Sequence, residues 1–321
     1  MGVNALVTGA NGFVGSHVCE TLLSAGHAVR ALVRETSDLT WLEGLELELV
    51  YGDLRKRETL ESAARDAEWV FHTAATVRPR NTSDFERVNR EGTHVLAEVC
   101  AASGVKRFVF FSSAAAAGPA ESPANPKTEE HPCEPVSQYG RGKLGAEKAL
   151  GEMAGVLHSV ILRFPAVYGP RDKDSLVLLR NLKLGVRPDF GGTFSVVYVR
   201  DAARAALMAA EADVASGSVY FISDGQVHEY DEMGRLAGKL LGRRTVRLKV
   251  PDWALRATAT VSEWFNREGS ILNRDKAREL SQGCWVCSPQ KARDELGFEP
   301  EYDLERGMSE TIRWYQERSW L

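Results

Sequence analysis

The sequence predicts an α/β protein with a doubly wound parallel sheet and a smaller, mostly helical second domain. Its first half alternates short apolar runs with helix-like stretches, and a glycine-rich turn joins the first strand to the first helix. Its last third is mostly helical in pattern. Strands that alternate with helices need crossover connections, which make the strands parallel and cover both faces of the sheet.

Length and composition narrow the class of protein. A chain of 321 residues exceeds the usual size of one domain, so we expect a large domain with a smaller one embedded in it. The net charge of −4 gives no reason to expect a nucleic acid or an anionic membrane as a partner. No apolar run is long enough for a membrane span, and we see no basic-then-apolar leader. We therefore expect a cytoplasmic enzyme.

The first strand, turn and helix form the most informative stretch. Residues 3–7 predict a buried strand, and residues 16–25 repeat apolar side chains at helical spacing. Between them, Gly9 allows a tight turn, Gly12 lets backbone amides approach a pyrophosphate, and Gly15 lets the helix close on the strand. This pattern predicts a dinucleotide site with contacts from the whole turn: Gly9, Asn11, Gly12, Phe13, Val14 and Gly15.

The other elements follow in chain order. Further strands are predicted at 28–33, 45–51, 69–72, 107–112, 159–163, 194–199 and 218–222, and helices at 57–67, 83–103, 137–153 and 201–212. The remaining segments, 230–241, 246–250, 253–265, 273–280, 289–296 and 304–317, predict mostly helices. We assign residues 1–163 and 193–223 to the cofactor-binding Rossmann domain and residues 164–192 and 224–321 to a smaller substrate-binding domain.

The residue after the second strand bears on the choice of cofactor. An enzyme that selects NAD usually carries an acidic residue here, which accepts from the ribose 2′-hydroxyl, but this chain has Arg34. A guanidinium suits the 2′-phosphate of NADP, and Thr36 and Ser37 could add donors. The alternative is a solvated surface arginine. We predict NADP, with NAD possible.

The turn TGANGFVG at 8–15, together with segments 288–292 and 295–300, resembles the extended short-chain dehydrogenase/reductase superfamily. The resemblance implies that Asp53 accepts from the adenine amino group, beside Leu54. It also implies cofactor contacts after the fourth strand, at Thr73, Ala74 and Ala75, and after the sixth, at Phe164, Pro165 and Val167. Ordinary turn chemistry is the alternative interpretation of Asp53 and of the loop at 73–75.

Tyr139 and Lys143 are four residues apart on a predicted helix, so they share a face. A phenol, with a reference pKa of about 10, is a weak acid at neutral pH. We expect the neighbouring ammonium to favour the phenolate, which would equip Tyr139 as acid in reduction and base in oxidation. The same spacing is common on amphipathic helices.

The resemblance adds two residues to this pair. Ser113, at the end of the fifth strand, corresponds to the catalytic serine that hydrogen-bonds the substrate oxygen, and Ser112 would be structural. Asn89 corresponds to an asparagine that positions backbone, water or cofactor behind the site; a polar helix residue without that role is the alternative. The predicted catalytic set is therefore Ser113, Tyr139, Lys143 and Asn89.

Extended members include nucleotide-sugar epimerases and dehydratases, and reductases that resemble dihydroflavonol reductases and 3β-hydroxysteroid dehydrogenases. The sugar enzymes usually bind the diphosphate through an asparagine and an arginine, whose positions here hold Ala166 and Phe194. We therefore predict an NAD(P)H-dependent oxidoreductase for a small, non-nucleotide ketone, aldehyde or secondary alcohol. One alternative is a sugar-nucleotide enzyme in which other arginines bind the diphosphate: Arg78, Arg80, Arg171 and Arg187. Another is a non-catalytic NADP-binding sensor or partner protein.

Two further predictions concern metals and assembly. Cys284 and Cys287 form a lone CxxC with no second pair, so we predict cysteines in a short strand and no metal. We also predict a homodimer, which the resemblance implies through pairing of two helices. The helices have more apolar residues than one sheet face needs: Phe85, Val88, Leu96, Val99, Cys100, Leu144 and Leu150.

Overall fold

The computed structural model describes residues 2–77, 83–265 and 273–321. The strands are β1 Asn4–Thr8, β2 Ala28–Val33, β3 Glu48–Tyr51, β4 Trp69–His72, β5 Arg107–Ser113, β6 Ser159–Phe164, β7 Ala166–Tyr168, β8 Val186–Asp189, β9 Thr193–Phe194, β10 Val196–Tyr198, β11 Ser218–Phe221, β12 His228–Glu229, β13 Val246–Lys249 and β14 Cys284–Trp285. The helices are α1 Phe13–Ser24, α2 Arg57–Ala64, α3 Gly92–Ala102, α4 Ala114–Ala117, α5 Gln138–Glu152, α6 Lys173–Lys183, α7 Val199–Glu211, α8 Tyr230–Leu240, α9 Asp252–Phe265, α10 Arg274–Leu280, α11 Gln290–Leu296 and α12 Leu304–Glu317. A π-helical segment, Phe85–Glu91, leads into α3.

A parallel sheet organises the larger part of the molecule. Within the described ranges it has seven strands, in the order β11-β6-β5-β4-β1-β2-β3. The chain winds from β1 to one edge and then returns through β4 to the other, so the strand order reverses between β1 and β4. Ligands of such sheets bind beyond the carboxyl ends of the strands at that reversal. The predicted α/β doubly wound fold is confirmed.

Helices cover both faces of this sheet and bury it. One face packs on α1 and α7, with a core that includes Val7, Ala31, Val109, Leu22 and Ala206. The opposite face packs on α2, α3 and α5, with Leu6, Val70, Phe108, Leu96 and Leu150. Neighbouring residues of a strand point to opposite faces, so each strand supplies both cores. Among the described residues, no helix has the length and apolar character needed to cross a bilayer.

The structure differs from the sequence prediction in several elements. The predicted helix at 83–103 begins as the π-helical segment, and residues 246–249 form strand β13 where mostly helical structure was expected. The predicted strand at 194–199 divides at Ser195, whose backbone NH donates to Trp285 O at 3.0 Å. As a result β9 pairs with β12 and β14 and not with the main sheet. The division into two domains stays a prediction.

The apolar residues that suggested a dimer interface are mostly buried inside the chain itself. Most of them are buried within the chain's own core: Phe85, Leu96, Val99, Cys100 and Leu150. Only Val88 and Leu144 are partly exposed. The proposed excess of apolar surface on these helices is therefore wrong, and the homodimer rests on resemblance alone.

The glycine turn generates a stability prediction. A Cβ at Gly15 would lie 2.2 Å from Gly9 O and 2.8 Å from Thr73 Oγ1, whereas one at Gly151, inside α5, would meet nothing within 4 Å. We expect Gly15→Ala to destabilise the protein by about 1–3 kcal/mol through overpacking. Gly151→Ala, the matched control, should stabilise it by up to about 1 kcal/mol. Urea unfolding measures both; equal effects from the two substitutions would contradict the close contact.

Candidate active site

The glycine turn has the shape that a diphosphate needs. Gly9 adopts a φ of +67°, and Gly12 N donates to Gly9 O at 2.9 Å before α1 begins at Phe13. Amides in the first turn of a helix have no acceptor within the helix, so this end attracts anions. Asn11 Nδ2 donates to Asp38 O at 3.2 Å, which joins the turn to the loop after β2. Val14 lies in the first turn of α1, and Gly15 packs against Gly9. The turn and the start of the helix together fit a dinucleotide.

A buried chain of hydrogen bonds holds the loop after β4 beside this turn. Ala74 N donates to Thr8 Oγ1 at 3.3 Å, and Thr8 Oγ1 lies 2.7 Å from His72 Nδ1. On the other side of the ring, His72 Nε2 lies 2.9 Å from Thr93 Oγ1, which donates to Asn89 O at 2.6 Å. Since the Thr93 hydroxyl uses its proton there, His72 carries hydrogen on Nε2 and accepts at Nδ1.

This network also fixes the charge of the histidine. Burial lowers the pKa of His72 to about 3, with a smaller contribution from the Lys143 ammonium. The ring is therefore neutral at physiological pH. Thr73 Oγ1 donates to Thr8 O at 2.7 Å, so Thr73 and Ala74 lie against the glycine turn, and Ala75 follows them in the same loop.

Asn89 supports the same loop from the π-helical segment. Its side chain is buried, Oδ1 accepts from Thr76 N at 2.7 Å, and Nδ2 donates to Thr76 O at 2.9 Å. Of the roles that the resemblance implies for Asn89, these contacts supply the positioning of backbone.

The two predicted adenosine contacts lie at neighbouring strand ends. Arg34 is exposed, and among the described residues its guanidinium forms no hydrogen bond or ion pair. The carboxylate of Asp53 is held by Arg55, with Nε–Oδ1 at 2.9 Å and Nη2–Oδ2 at 2.5 Å. These bonds, with the charge of Arg34 as a minor cause, lower the pKa of Asp53 to about 2. Leu54 is buried in the core under α2 and α3. Sequence analysis missed Arg55.

Ser113 and Tyr139 meet at one cavity. Ser113 ends β5, and its Oγ accepts from Ala115 N at 3.1 Å, which caps the short helix α4. Tyr139 lies in the first turn of α5, one residue before Gly140, where a Cβ would stand 2.2 Å from Ala115 O. This close approach brings the two predicted catalytic residues to the same wall.

The electrostatics of Tyr139 differ from the sequence expectation. Burial and the Glu279 carboxylate raise the pKa of Tyr139 to about 12, and a hydrogen bond with Ser113 and the charge of Lys276 only partly offset them. Lys143 is not among the causes of this shift, and its effect on the phenol stays a prediction. The Tyr139 hydroxyl holds its proton at neutral pH.

Lys143 is buried one turn further along α5. Its Nζ donates to Phe111 O at 2.6 Å and lies 4.7 Å from the centre of the Phe110 ring. Burial lowers the pKa of Lys143 to about 7, and Glu147 opposes that shift. Glu147 itself forms a buried ion pair with Arg163, at 2.7 Å, and accepts from Ser112 Oγ. Ser112 therefore has the structural contact that the resemblance implies.

The cavity over Ser113 and Tyr139 has mostly apolar and aromatic walls. It measures ≈ 130 Å³ and is lined on the apolar side by Phe164, Pro165, Ala166, Phe194, Tyr230 and Trp285. The Phe164 ring stacks on the Phe111 ring with 5.0 Å between ring centres, and the ring centres of Phe194 and Tyr230 are 4.3 Å apart. Both positions that sugar enzymes use for the diphosphate, Ala166 and Phe194, are part of this wall. Val167 lies one residue further, in β7, and packs on the core.

Arg171 and Arg187, two of the arginines considered as replacement diphosphate ligands, do not line this cavity. Arg171 pairs with Glu20 and lies 5.5 Å from the Trp41 ring, and Arg187 pairs with Asp231 at 2.9 Å. Arg78 and Arg80 lie outside the described residues.

In the described part of the chain, no cluster of three or more His, Cys, Asp or Glu could hold a metal. Cys284 lies in β14 and Cys287 just beyond it.

Helix α10 supplies residues at the cavity that the sequence did not indicate. Lys276 and Glu279 line the cavity and form an ion pair at 3.1 Å. Asp275 accepts from Gln138 N at 2.8 Å and from Tyr139 N at 3.0 Å, so it caps the catalytic helix α5 from another part of the chain. The helix was predicted, but no local pattern indicates a contact between residues 136 or more positions apart.

Comparison with known proteins identifies the family. The sequence profile of the NAD dependent epimerase/dehydratase family matches residues 5–223. The chain belongs to this family. It is thus an extended short-chain dehydrogenase/reductase, as the turn at 8–15 and the segments 288–292 and 295–300 indicated, and an NAD(P)-dependent enzyme of the oxidoreductase type.

Relatives of this dehydrogenase/reductase differ in activity. A ceramide reductase of Caulobacter vibrioides is 32% identical, with 98% of this chain and 95% of that one covered. A 3-beta-hydroxysteroid dehydrogenase of Mycolicibacterium neoaurum is 28% identical, with 97% and 90% covered. The structure of a UDP-glucose 4-epimerase with UDP-glucose from Thermotoga maritima aligns with a TM-score of 0.81 at 25% identity, covering 99% and 100%. Similarity over the whole chain does not separate the two chemistries.

The cap from α10 gives a prediction about catalysis. Asp275→Ala removes the acceptor of two amides at the start of α5, and loss of such a cap costs about 1 kcal/mol of stability. We expect a lower melting temperature and a lower kcat, because the helix end that carries Tyr139 is less firmly held. Asp275→Asn, which keeps one acceptor oxygen, should restore most of both. Unchanged kcat in Asp275→Ala would contradict this role.

Proposed function

We propose that the protein interconverts a ketone or aldehyde with the corresponding secondary alcohol on a non-nucleotide substrate, using NADP(H). The observation that carries the proposal is a single cavity that contains both Ser113 and Tyr139 and is apolar at Ala166 and Phe194. A diphosphate in such a wall would lose the partners that its charge requires. The ceramide reductase and steroid dehydrogenase relatives support the same chemistry.

The cofactor would be held by the chain's own cradle. The residues of the turn at 9–15 would hold the diphosphate, Thr73 to Ala75 would contact the ribose, and Asp53 with Leu54 would contact the adenine. Phe164 at the end of β6, with Pro165 and Val167 after it, would contact the nicotinamide half. When bound, NADP(H) supplies or accepts the hydride. Arg34 is exposed and without an ion pair in the described chain, which suits a 2′-phosphate.

The residues at the cavity supply the acid–base chemistry. In reduction, the Tyr139 hydroxyl donates its proton to the substrate oxygen, and its raised pKa keeps that proton in place until the transfer. Ser113 Oγ donates a hydrogen bond to the same oxygen. Lys143 lies on the same face of α5 as Tyr139. The Glu147 carboxylate favours its charged form. As an ammonium, Lys143 stabilises negative charge on the Tyr139 oxygen.

The first test removes the proton donor. Tyr139→Phe should lower turnover by about 10²–10⁴-fold while leaving cofactor affinity nearly unchanged, because only the hydroxyl is lost. Lys143→Met should weaken both turnover and cofactor affinity. Steady-state rates and cofactor titration by fluorescence separate the two effects. Near-normal turnover in folded Tyr139→Phe would disprove the mechanism.

The second test concerns the cofactor. A charge-assisted hydrogen bond contributes about 1.5–3 kcal/mol, so pairing of Arg34 with the 2′-phosphate should make NADPH bind tenfold or more tighter than NADH. Arg34→Asp should reverse the order, and Arg55→Lys is a control that changes a neighbouring cation without removing its charge. Equal affinities in the wild-type protein would show Arg34 to be a surface residue only.

A sugar-nucleotide epimerase or dehydratase is the second candidate, favoured by the structural likeness to the UDP-glucose 4-epimerase. A thermal-shift screen in the presence of NADP separates the two. A ligand at a hundred times its Kd stabilises the native state by about 2.7 kcal/mol, a visible shift in melting temperature. We expect shifts with apolar ketones and alcohols and none with nucleoside-diphosphate sugars. The opposite result would overturn the oxidoreductase proposal.

A homodimer in the cytoplasm completes the proposal. The dimer rests on the resemblance to extended members, which pair the helices that correspond to α3 and α5.

A further inference from the structure

The small two-stranded sheet β8–β13 has one covered and one open face. Arg187 is paired with Arg247 across the sheet, and both guanidinium groups approach Asp231 of α8, with nearest N–O distances of 2.9 and 3.5 Å. That face therefore packs on α8. Because side chains alternate along a strand, the opposite face carries the other pair in register, Val186 with Val246, and Leu248 beyond it.

The open face is apolar. Val246 is 75% exposed, Leu248 56% and Val186 40%. Leu184, which is 80% exposed, adjoins them, since the next residue, Gly185, accepts from Val246 N at 2.9 Å. We call these side chains the open sheet face. Clustered apolar side chains in water mark an interaction site, whereas scattered ones do not.

Basic residues are frequent in the chain segments that form and flank the open sheet face. Residues 235–256 carry seven basic and one acidic residue, in a chain whose net charge is −4. Several of these and neighbouring cations are exposed and form no side-chain hydrogen bond or ion pair with described residues: Lys183, Arg243, Arg244 and Arg256. The overall charge conceals this local excess, which is why composition argued against an anionic surface as a partner.

We propose that the open sheet face docks on the surface of an anionic lipid bilayer. Exposed aliphatic side chains enter the headgroup region, and the exposed arginines and lysine meet the lipid phosphates. The exposed cations without an ion pair to described residues complement the negative charge of such a bilayer. The binding is peripheral and reversible.

The open sheet face is connected to the cavity wall through helices α9 and α10. β13 leads through Pro251 into α9, whose Leu255 and Ala259 pack against Ala277 of α10. Since α10 also lines the cavity, docking would hold this wall at the bilayer. The proposal does not depend on the reaction that the cavity catalyses.

Vesicle flotation of the full chain tests the proposal. We expect binding to vesicles that contain phosphatidylglycerol, no binding to pure phosphatidylcholine vesicles, and release at high salt. Arg244→Glu should weaken vesicle binding by about fivefold or more, and Val246→Ser by up to about tenfold. The matched controls are Arg65→Glu, on the surface of the Rossmann domain, and Val156→Ser, a valine 71% exposed elsewhere; neither should change binding.

Three results would overturn the proposal. The first is no binding to phosphatidylglycerol vesicles, and the second is equal losses in the variants and their controls. The third is a light-scattering mass that halves in Val246→Ser, because the face would then join two copies of this chain. Melting temperatures establish whether each variant folds. If Val246→Ser does not fold, Leu248→Ser tests the apolar contribution in its place.

Discussion

The contact between helix α5 and the turn after β5 is the constraint on which the candidate site depends. Gly140 lies so close to Ala115 O that any Cβ would stand 2.2 Å away. Ser137 Oγ accepts from Gly140 N at 2.9 Å and starts the helix at that contact. With the backbones this close, Tyr139 on the helix and Ser113 on the strand reach the same cavity. A side chain at position 140 would separate the two residues that the chemistry requires together.

Burial of polar groups then determines how the site is tuned. A neutral His72, a lysine with a pKa of about 7 and a buried Glu147–Arg163 pair all lie beneath the cofactor edge. Unpaired charges in such an interior are costly, so each group is neutral, hydrogen-bonded or paired. Lys143 Nζ is held in this interior by its bond to Phe111 O.

The fold alone does not decide the reaction, because relatives named as reductases and as epimerases share it over the whole chain. The proposed function therefore rests on the cavity wall, where Ala166, Phe194 and Trp285 present apolar surface and α10 adds a Lys276–Glu279 pair. The proposed function and the proposed bilayer docking are compatible, because an apolar cavity and an open apolar sheet face both suit a substrate that partitions into lipid. Each feature has its own test, since one concerns turnover and the other vesicle binding.

The sequence by itself determined the parallel sheet, the family and the positions of the glycine turn and of the Tyr139–Lys143 pair. These depend on short-range patterns, namely strand and helix periodicity and residues a few positions apart. The tertiary structure alone decided the roles of Asp275, Lys276 and Glu279, the pairing of Asp53 with Arg55, and the raised pKa of Tyr139. The contacts of α10 join residues more than a hundred positions apart, and a pKa depends on burial, which a linear pattern does not specify. The open sheet face likewise emerges only when β8 and β13 pair, whereas the basic excess beside it is a local feature of the sequence that the net charge conceals.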